Sequence, residues 1–324
     1  MNTSRPTLLV LGDPADHYLQ PLEAFRDRAE IVISQDPALL LPAAVRADAI
    51  LIWAAGRPLI EQVWAHAGRL RWIHSRSAGL DTLLFPALVD SPVPLTNSKG
   101  VYSRSLGEFV AAGVLFFAKD LHRMQRSQAA GRWDPFDVEE AHGKTMGIVG
   151  YGDIGRAAAR LAKALGMRVL ALRRRPQQSE GDPLVDEALG NERLLELMAH
   201  SDYVVVAAPL TPETRGLVDA AAIAAMKPSA VMINVGRGAV IDEAALIDAL
   251  RARRIRGAAL DVFAQEPLPA GHPLYGLDNL LLSPHCADHT QTWIDEAMAF
   301  YCENLQRFLR GEALLNVVEK RLGY

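Results

Sequence analysis

Short apolar runs alternate along the whole chain with stretches whose apolar residues recur at helical spacing, the pattern of a parallel α/β architecture. In the first part, Thr7–Leu11, Ala29–Ile33, Ala49–Trp53 and Arg71–His74 predict strands, with helices over Pro21–Arg28 and Pro58–Ala67. A long helix is predicted over Ser103–Lys119. Its stretch Leu106–Phe117 is apolar nearly all round, so little of that surface suits water. An irregular stretch, Gly131–Ala141, carries Trp133 and Phe136. A second alternating series starts at Thr145, with strands expected over Thr145–Val149, Arg168–Leu172, Tyr203–Ala207, Ala230–Val235, Gly257–Asp261 and Leu280–Ser283. Helices are expected over Ile154–Leu165, Asn191–His200, Asp219–Met226 and Glu243–Arg253, and a closing helix over Trp293–Arg310 stops at Gly311. The strands are apolar on both sides, as when helices cover both faces of a sheet.

Two such series predict two domains, and 324 residues suit that number. The closing helix is expected to return to the first domain and make it discontinuous. Half of the residues are hydrophobic and 22% are charged, the balance of a globular protein. A formal net charge of −4 argues against nucleic acid or an anionic membrane as partner. No run approaches the ~18 apolar residues of a membrane span. Met1–Arg5 is short and polar and leads into Leu8–Leu11, without the shape of a secretory signal. Two cysteines, Cys286 and Cys302, make neither a disulfide framework nor a metal site, so a reducing, cytoplasmic setting is expected and no metal. A nucleophilic Cys286–His285 pair is disfavoured, because neighbours on an extended segment point to opposite sides.

The strongest local signal is Gly150-Tyr151-Gly152-Asp153-Ile154-Gly155, placed after a predicted strand and opening a predicted helix. In that context Gly150 permits a tight turn, Gly152 lets backbone approach a pyrophosphate, and Gly155 allows close helix–strand packing. The next strand should end at the reader of the adenosine ribose. A carboxylate there would accept from a 2′-hydroxyl; this chain has Arg173-Arg174-Arg175, and a guanidinium pairs instead with a 2′-phosphate. NADP(H) is therefore the expected cofactor, with NAD(H) possible. Three further strands run into Arg237, Glu266 and His285, and ligands of open α/β sheets bind beyond the carboxyl ends of strands. Taken singly, each has a plain alternative: a turn arginine between glycines, a loop glutamate, a structural histidine.

Several stretches together resemble the D-isomer-specific 2-hydroxyacid dehydrogenases over essentially the whole chain. They are Ser77-Ala78-Gly79-Leu80-Asp81, the glycine fingerprint, Asn234-Val235-Gly236-Arg237-Gly238, Asp261-Val262-Phe263 with Gln265-Glu266-Pro267, and Ser283-Pro284-His285. The resemblance implies two Rossmann-like or flavodoxin-like domains with parallel sheets and a cleft between them. Residues 1–99 plus 288–324 would form the catalytic domain, and 100–287 the dinucleotide-binding domain. It implies that Arg237 holds the substrate carboxylate, that His285 exchanges a proton with the carbonyl oxygen, and that Glu266 orients His285. The backbone of Ser77, Ala78 and Gly79 would form the carboxylate-binding loop. Gly150, Gly152, Asp153, Ile154, Gly155, Arg173, Arg174, Pro209, Thr214, Val235, Asp261 and His285 would contact the cofactor, with Asp261 at the nicotinamide carboxamide.

Asp288 departs from the small residues usual in the family at that place, and Arg76 and Trp53 are candidates for the substrate pocket. The expected activity is reduction of small 2-oxo acids resembling glyoxylate or hydroxypyruvate to D-2-hydroxy acids. An NAD-dependent D-lactate-type or 3-phosphoglycerate-type dehydrogenase is the alternative within enzymes. The length leaves no room for the regulatory domains many phosphoglycerate members carry. A formate dehydrogenase is disfavoured by Glu266. Outside enzymes, the rival is a catalytically silent, nicotinamide-sensing corepressor-like protein. The Leu106–Phe117 helix with the Trp133 and Phe136 loop resembles the family's dimer arm, so a homodimer is expected.

Overall fold

The computed structural model describes residues 5–324. Of the polar N-terminal stretch Met1–Arg5, on which the expectation of no secretory leader rests, Met1–Ser4 lie outside the described residues. The chain divides into two compact units, one from the residues up to Tyr102 with Gln291–Tyr324, the other Ser103–Thr290.

In the first unit, strands β1 (Thr7–Leu11), β2 (Glu30–Ser34), β3 (Ala47–Ile52), β4 (Trp72–Ser75) and β5 (Leu95–Asn97) form one sheet in the order β2-β1-β3-β4-β5. All its pairings are parallel, the flavodoxin-like order. Every residue of β1 and β3 is buried, so both are apolar apart from Thr7 and Asp48, whose carboxylate accepts from the Thr7 N–H at 2.9 Å. Leu9, Leu11, Ile50, Ile52 and Ile73 pack on one face, while Leu8, Val10, Leu51 and Trp72 pack on the other with Met298, Tyr301 and Leu305 of the helix Trp293–Arg310. That helix belongs to this unit. It ends where Gly311 adopts the left-handed conformation, φ 69°.

Several elements of this unit differ from expectation, two helices among them. The predicted helix Pro21–Arg28 is a 3-10 helix over His17–Phe25, started by Asp16, whose carboxylate accepts from the Tyr18 N–H. Pro21 lies inside it and cannot donate to a longer helical ladder. A helix over Pro37–Ala44, which no prediction covers, begins with Pro37 in its first turn, where a missing N–H costs nothing.

The second unit holds β6 (Thr145–Val149), β7 (Arg168–Leu172), β8 (Glu187–Leu189), β9 (Tyr203–Val206), β10 (Val231–Asn234), β11 (Gly257–Leu260) and β12 (Leu280–Leu282). Their order is β12-β11-β10-β9-β6-β7-β8, again parallel throughout. Chain direction across the sheet reverses between β6 and β9, the switch point at which such sheets bind ligands. The helix Ser103–Ala118 belongs to this unit. It buries Leu106, Val110, Val114 and Phe117 and packs on the helix Asp153–Ala164 and on β10 and β11. Part of the apolar surface assigned to a dimer arm is therefore spent on the chain's own sheet. Phe136 is not open either: the Arg123 guanidinium lies 4.2 Å over its ring. Among the described residues no helix is long and apolar enough to cross a membrane.

Candidate active site

The glycine loop leaves β6 and enters the helix Asp153–Ala164 at the switch point. Gly150 has φ +94°, and a Cβ on it would stand 2.5 Å from the backbone nitrogen of Ala208. A Cβ on Gly155 would stand 2.6 Å from the Gly150 carbonyl oxygen, so helix and strand meet only through glycine. A methyl group on Gly152 would meet nothing within 4 Å. That open space faces the first N–H groups of a twelve-residue helix, where backbone donors and the helix dipole favour an anion. The residues present fit a pyrophosphate.

Arg173 stands at the end of β7, its backbone N–H donating to the Leu189 carbonyl at 3.0 Å. Its guanidinium donates to Ser179 Oγ at 3.1 Å and to Gln178 Oε1. Both partners are neutral, so they position the cation without cancelling its charge. Arg174 beside it is exposed. The nearby acid, Asp182, is occupied by Arg156 and by the Tyr151 hydroxyl at 3.0 Å. On the other side of the switch point, Thr214 Oγ1 donates to the Pro209 carbonyl at 2.6 Å and accepts from Thr211 N–H at 2.8 Å. Thr214 thus shapes the loop after β9 that displays Pro209.

Strands β10, β11 and β12 are neighbours, and each delivers one reactive side chain beyond its carboxyl end. After β10, Asn234 pins the turn: its Oδ1 accepts from Gly236 N–H at 3.0 Å and its Nδ2 donates to the Arg237 carbonyl at 3.1 Å. The Arg237 guanidinium donates to the Gly236 carbonyl at 2.8 Å, which fixes its direction of exit. Val235 is buried under this turn. After β11, Glu266 bridges two partners. Its Oε1 accepts from Phe263 N–H at 2.8 Å, and its Oε2 lies 2.6 Å from His285 Nδ1. An ionised carboxylate only accepts, so Nδ1 carries the proton and Nε2 is the atom left to exchange one.

His285 itself has φ +53°, so the segment is not extended as the sequence suggested. Cys286 is still kept apart from the imidazole: its Sγ lies 3.6 Å from Ser283 Oγ, while the ring is held by Glu266. The unusual backbone at His285 is secured by Asp261, a residue 1% exposed. Its Oδ1 accepts from Ser283 Oγ at 2.6 Å and from the N–H groups of Cys286 and Ala287, each at 3.0 Å. The resemblance implies that Asp261 lies at the nicotinamide carboxamide; its Oδ1 is engaged by the histidine loop. Asp288, three residues after His285, has its carboxyl raised above the usual range by burial.

In the first unit, Ser77, Ala78 and Gly79 follow β4 as a loop, and Asn97 at the end of β5 donates from Nδ2 to the Ala78 carbonyl at 2.6 Å. Asn97, Asn234 and Ser283 are positioning residues that sequence reasoning did not single out. Their signal was an amide or hydroxyl at the last place of a strand or just after it; Asn234 bonds within its own turn, whereas Asn97 and Ser283 reach the loop or strand end beside them. Among the described residues no cluster of His, Cys, Asp or Glu could hold a metal ion.

A parallel sheet with an anion-ready glycine loop at its switch point and a carboxylate-held imidazole on the same edge defines a dinucleotide-dependent oxidoreductase. More narrowly, residues 111–287, more than half of the chain, match the family described as D-isomer specific 2-hydroxyacid dehydrogenase, NAD binding domain, and the chain belongs to that family. It is 36% identical over 330 residues to a glyoxylate/hydroxypyruvate reductase B of Pectobacterium carotovorum, covering 98% of this chain and 99% of that one. It is 33% identical over 275 residues to a D-3-phosphoglycerate dehydrogenase of Methanocaldococcus jannaschii, where 83% of this chain spans about half, 51%, of the relative. Among solved structures, a D-isomer specific 2-hydroxyacid dehydrogenase of Xanthobacter autotrophicus in complex with NADPH and MES superposes with a TM-score of 0.83. That match has 34% identity and covers 99% of this chain and 100% of the other.

Proposed function

We propose that the chain reduces small 2-oxo acids, glyoxylate and hydroxypyruvate foremost, to D-2-hydroxy acids, prefers NADPH to NADH, and works as a homodimer. The observation that carries this reading is the 2.6 Å pair between His285 Nδ1 and Glu266 on the sheet edge that also bears the glycine loop. The name of the Pectobacterium relative supports the substrate class, and the NADPH of the Xanthobacter structure supports the cofactor.

Bound nicotinamide would supply hydride to C2 of the substrate. Gly150, Gly152, Asp153, Ile154 and Gly155 would hold the pyrophosphate, and Arg173 and Arg174 the 2′-phosphate. Pro209, Thr214 and Val235 would shape the nicotinamide surroundings, and Asp261 would set the loop that carries His285. Arg237 would hold the substrate carboxylate with fixed donors and a permanent charge, helped by backbone N–H groups of Ser77, Ala78 and Gly79. His285 would deliver the proton on Nε2 to the carbonyl oxygen and recover it in the oxidation direction. Glu266 would stabilise the imidazolium and hold the ring. Proton transfer of this kind contributes about 10²–10⁴-fold.

Support for the dimer comes from the segment 115–138, in which Leu115, Leu121, Met124, Trp133 and Val138 are exposed, Trp133 to 97%. Apolar residues so concentrated mark an interaction surface.

The deciding experiment follows cofactor absorbance with a panel of 2-oxo acids and both reduced cofactors. Turnover should appear with the small 2-oxo acids, and His285→Ala should lower kcat about 10²-fold or more. Absence of turnover with every member, or near wild-type kcat in His285→Ala, overturns the assignment.

A further inference from the structure

Arg76 is the first residue past β4, and Trp53 the first past β3. The two strands pair with Ile52 opposite Ser75, so Trp53 and Arg76 stand next to each other at the carboxyl edge of the sheet. The Arg76 guanidinium lies 4.9 Å from the Trp53 ring and 5.6 Å from the ring of Trp293, the first residue of the closing helix. Both indoles are anchored. Trp53, 2% exposed, donates from Nε1 to Asp16 Oδ2 at 2.7 Å, and Trp293 meets Tyr102 edge to face at 6.1 Å. The Tyr102 hydroxyl donates in turn to the Arg76 carbonyl at 2.7 Å.

Contact with indole rings engages the π face of a guanidinium and leaves its in-plane N–H donors to other partners. Arg76 is half-buried, and among the described residues no carboxylate lies within ion-pair distance of it. A partly desolvated cation without a counter-charge favours an incoming anion. The loop that begins at the next residue, Ser77–Gly79, is the one assigned to the substrate's carboxylate.

Resting on that assignment, we infer that Arg76, held by Trp53 and Trp293, is a second anion subsite, and that among 2-oxo acids of four or five carbons those with a distal carboxylate are turned over better than monocarboxylates of the same length. The substrate range of the proposed reductase is thereby extended to 2-oxo dicarboxylic acids. The reaction remains reduction of the 2-oxo group; the subsite adds selection at the far end.

The test compares kcat/KM for oxaloacetate and 2-oxoglutarate with the chain-length-matched monocarboxylates 2-oxobutanoate and 2-oxopentanoate. Wild type should favour the dicarboxylates about tenfold or more, the scale of one charge-assisted contact. Arg76→Gln should collapse that ratio, and Arg76→Lys, which keeps charge but not the planar fork, should leave it in between. A wild type that prefers the monocarboxylates overturns the subsite. So does an Arg76→Gln that lowers both classes equally, which would assign Arg76 to the carboxylate they share.

Binding separates this inference from the proposed reductase activity. Succinate, which cannot be reduced, should quench tryptophan fluorescence at lower concentration than butyrate, and Arg76→Gln should abolish the difference. Succinate selectivity without any turnover would retain the subsite and sink the reductase; turnover with no dicarboxylate selectivity would do the reverse.

Discussion

Replacing Asp261 by Asn tests whether this buried carboxylate serves the histidine loop or the cofactor. One oxygen of Asp261 accepts three hydrogen bonds, from Ser283 Oγ and from the backbone N–H groups of Cys286 and Ala287. Asn keeps the shape and one acceptor oxygen but loses the charge that strengthens all three bonds. Hydrogen bonds to charged groups contribute about 1.5–3 kcal/mol and neutral ones about 0.5–1.5, so roughly 1 kcal/mol is lost at each of the three. The sum, about 3 kcal/mol, would act on the left-handed backbone of His285 and hence on where Nε2 points. Expressed wholly in the transition state it lowers kcat/KM by about two orders of magnitude.

The assay measures kcat, KM and the NADPH dissociation constant in parallel. If Asp261 acts by positioning, kcat/KM falls while NADPH affinity barely moves, and Ser283→Ala, which removes one charged hydrogen bond of about 1.5–3 kcal/mol, lowers kcat/KM by roughly 10- to 150-fold with NADPH affinity likewise kept. A loss of NADPH affinity as large as the loss of kcat/KM would refute this argument and return Asp261 to the nicotinamide.

Three other outcomes are expected. Arg173→Asp should reverse the cofactor ratio, because it replaces donors for a 2′-phosphate by an acceptor for a 2′-hydroxyl; each lost charge-assisted contact is worth about 1.5–3 kcal/mol. A ratio of kcat/KM that stays put would show that Arg173 does not read the phosphate. His74, fully buried, has its pKa pushed by burial from the usual 6.5 down to about 3. Its folded value is depressed, so its contribution is complete above about pH 6.5 and is lost as pH falls towards 3, a span worth about 4–5 kcal/mol. Urea unfolding of wild type and His74→Gln across that range should show the difference in stability shrinking with acidity, and a constant difference would be fatal to this account. Light scattering at micromolar concentration should give a dimer mass, and Leu115→Glu with Trp133→Glu should lower it to 35.3 kDa; a wild type already at that mass disproves the dimer.

Most of the fold was legible because parallel strands buried on both faces must be apolar throughout, and β1, β6 and β7 have the bounds their runs predict. The strands that escaped prediction, β5 and β8, have three residues each and lie at sheet edges, where an apolar run is not required. Arg237, Glu266 and His285 were singled out by their places beyond strand ends together with the family's motifs, and the structure brings Glu266 and His285 into contact. Their support was not singled out. Asn234 acts within its own turn, but Asp261 meets partners 22 to 26 residues away, and such pairings exist only once β11 and β12 lie side by side. The left-handed backbone at His285 was equally hidden, since nothing about a Pro-His-Cys sequence demands it.

The two glycines around Arg237 are seated against other loops. A methyl group on Gly236 would come within 2.7 Å of the Ala208 carbonyl oxygen, next to Pro209, and one on Gly238 would come within 1.9 Å of the Phe263 carbonyl carbon. Phe263 gives its N–H to the carboxylate that holds His285. Any side chain at 238 therefore pushes first on the segment that aims the proton donor, although the substitution lies beside the substrate-binding arginine. A side chain at 236 or 238 thus disturbs the arginine's turn and its neighbouring loops together, and directed evolution of this chain should recover almost no tolerated changes at either position.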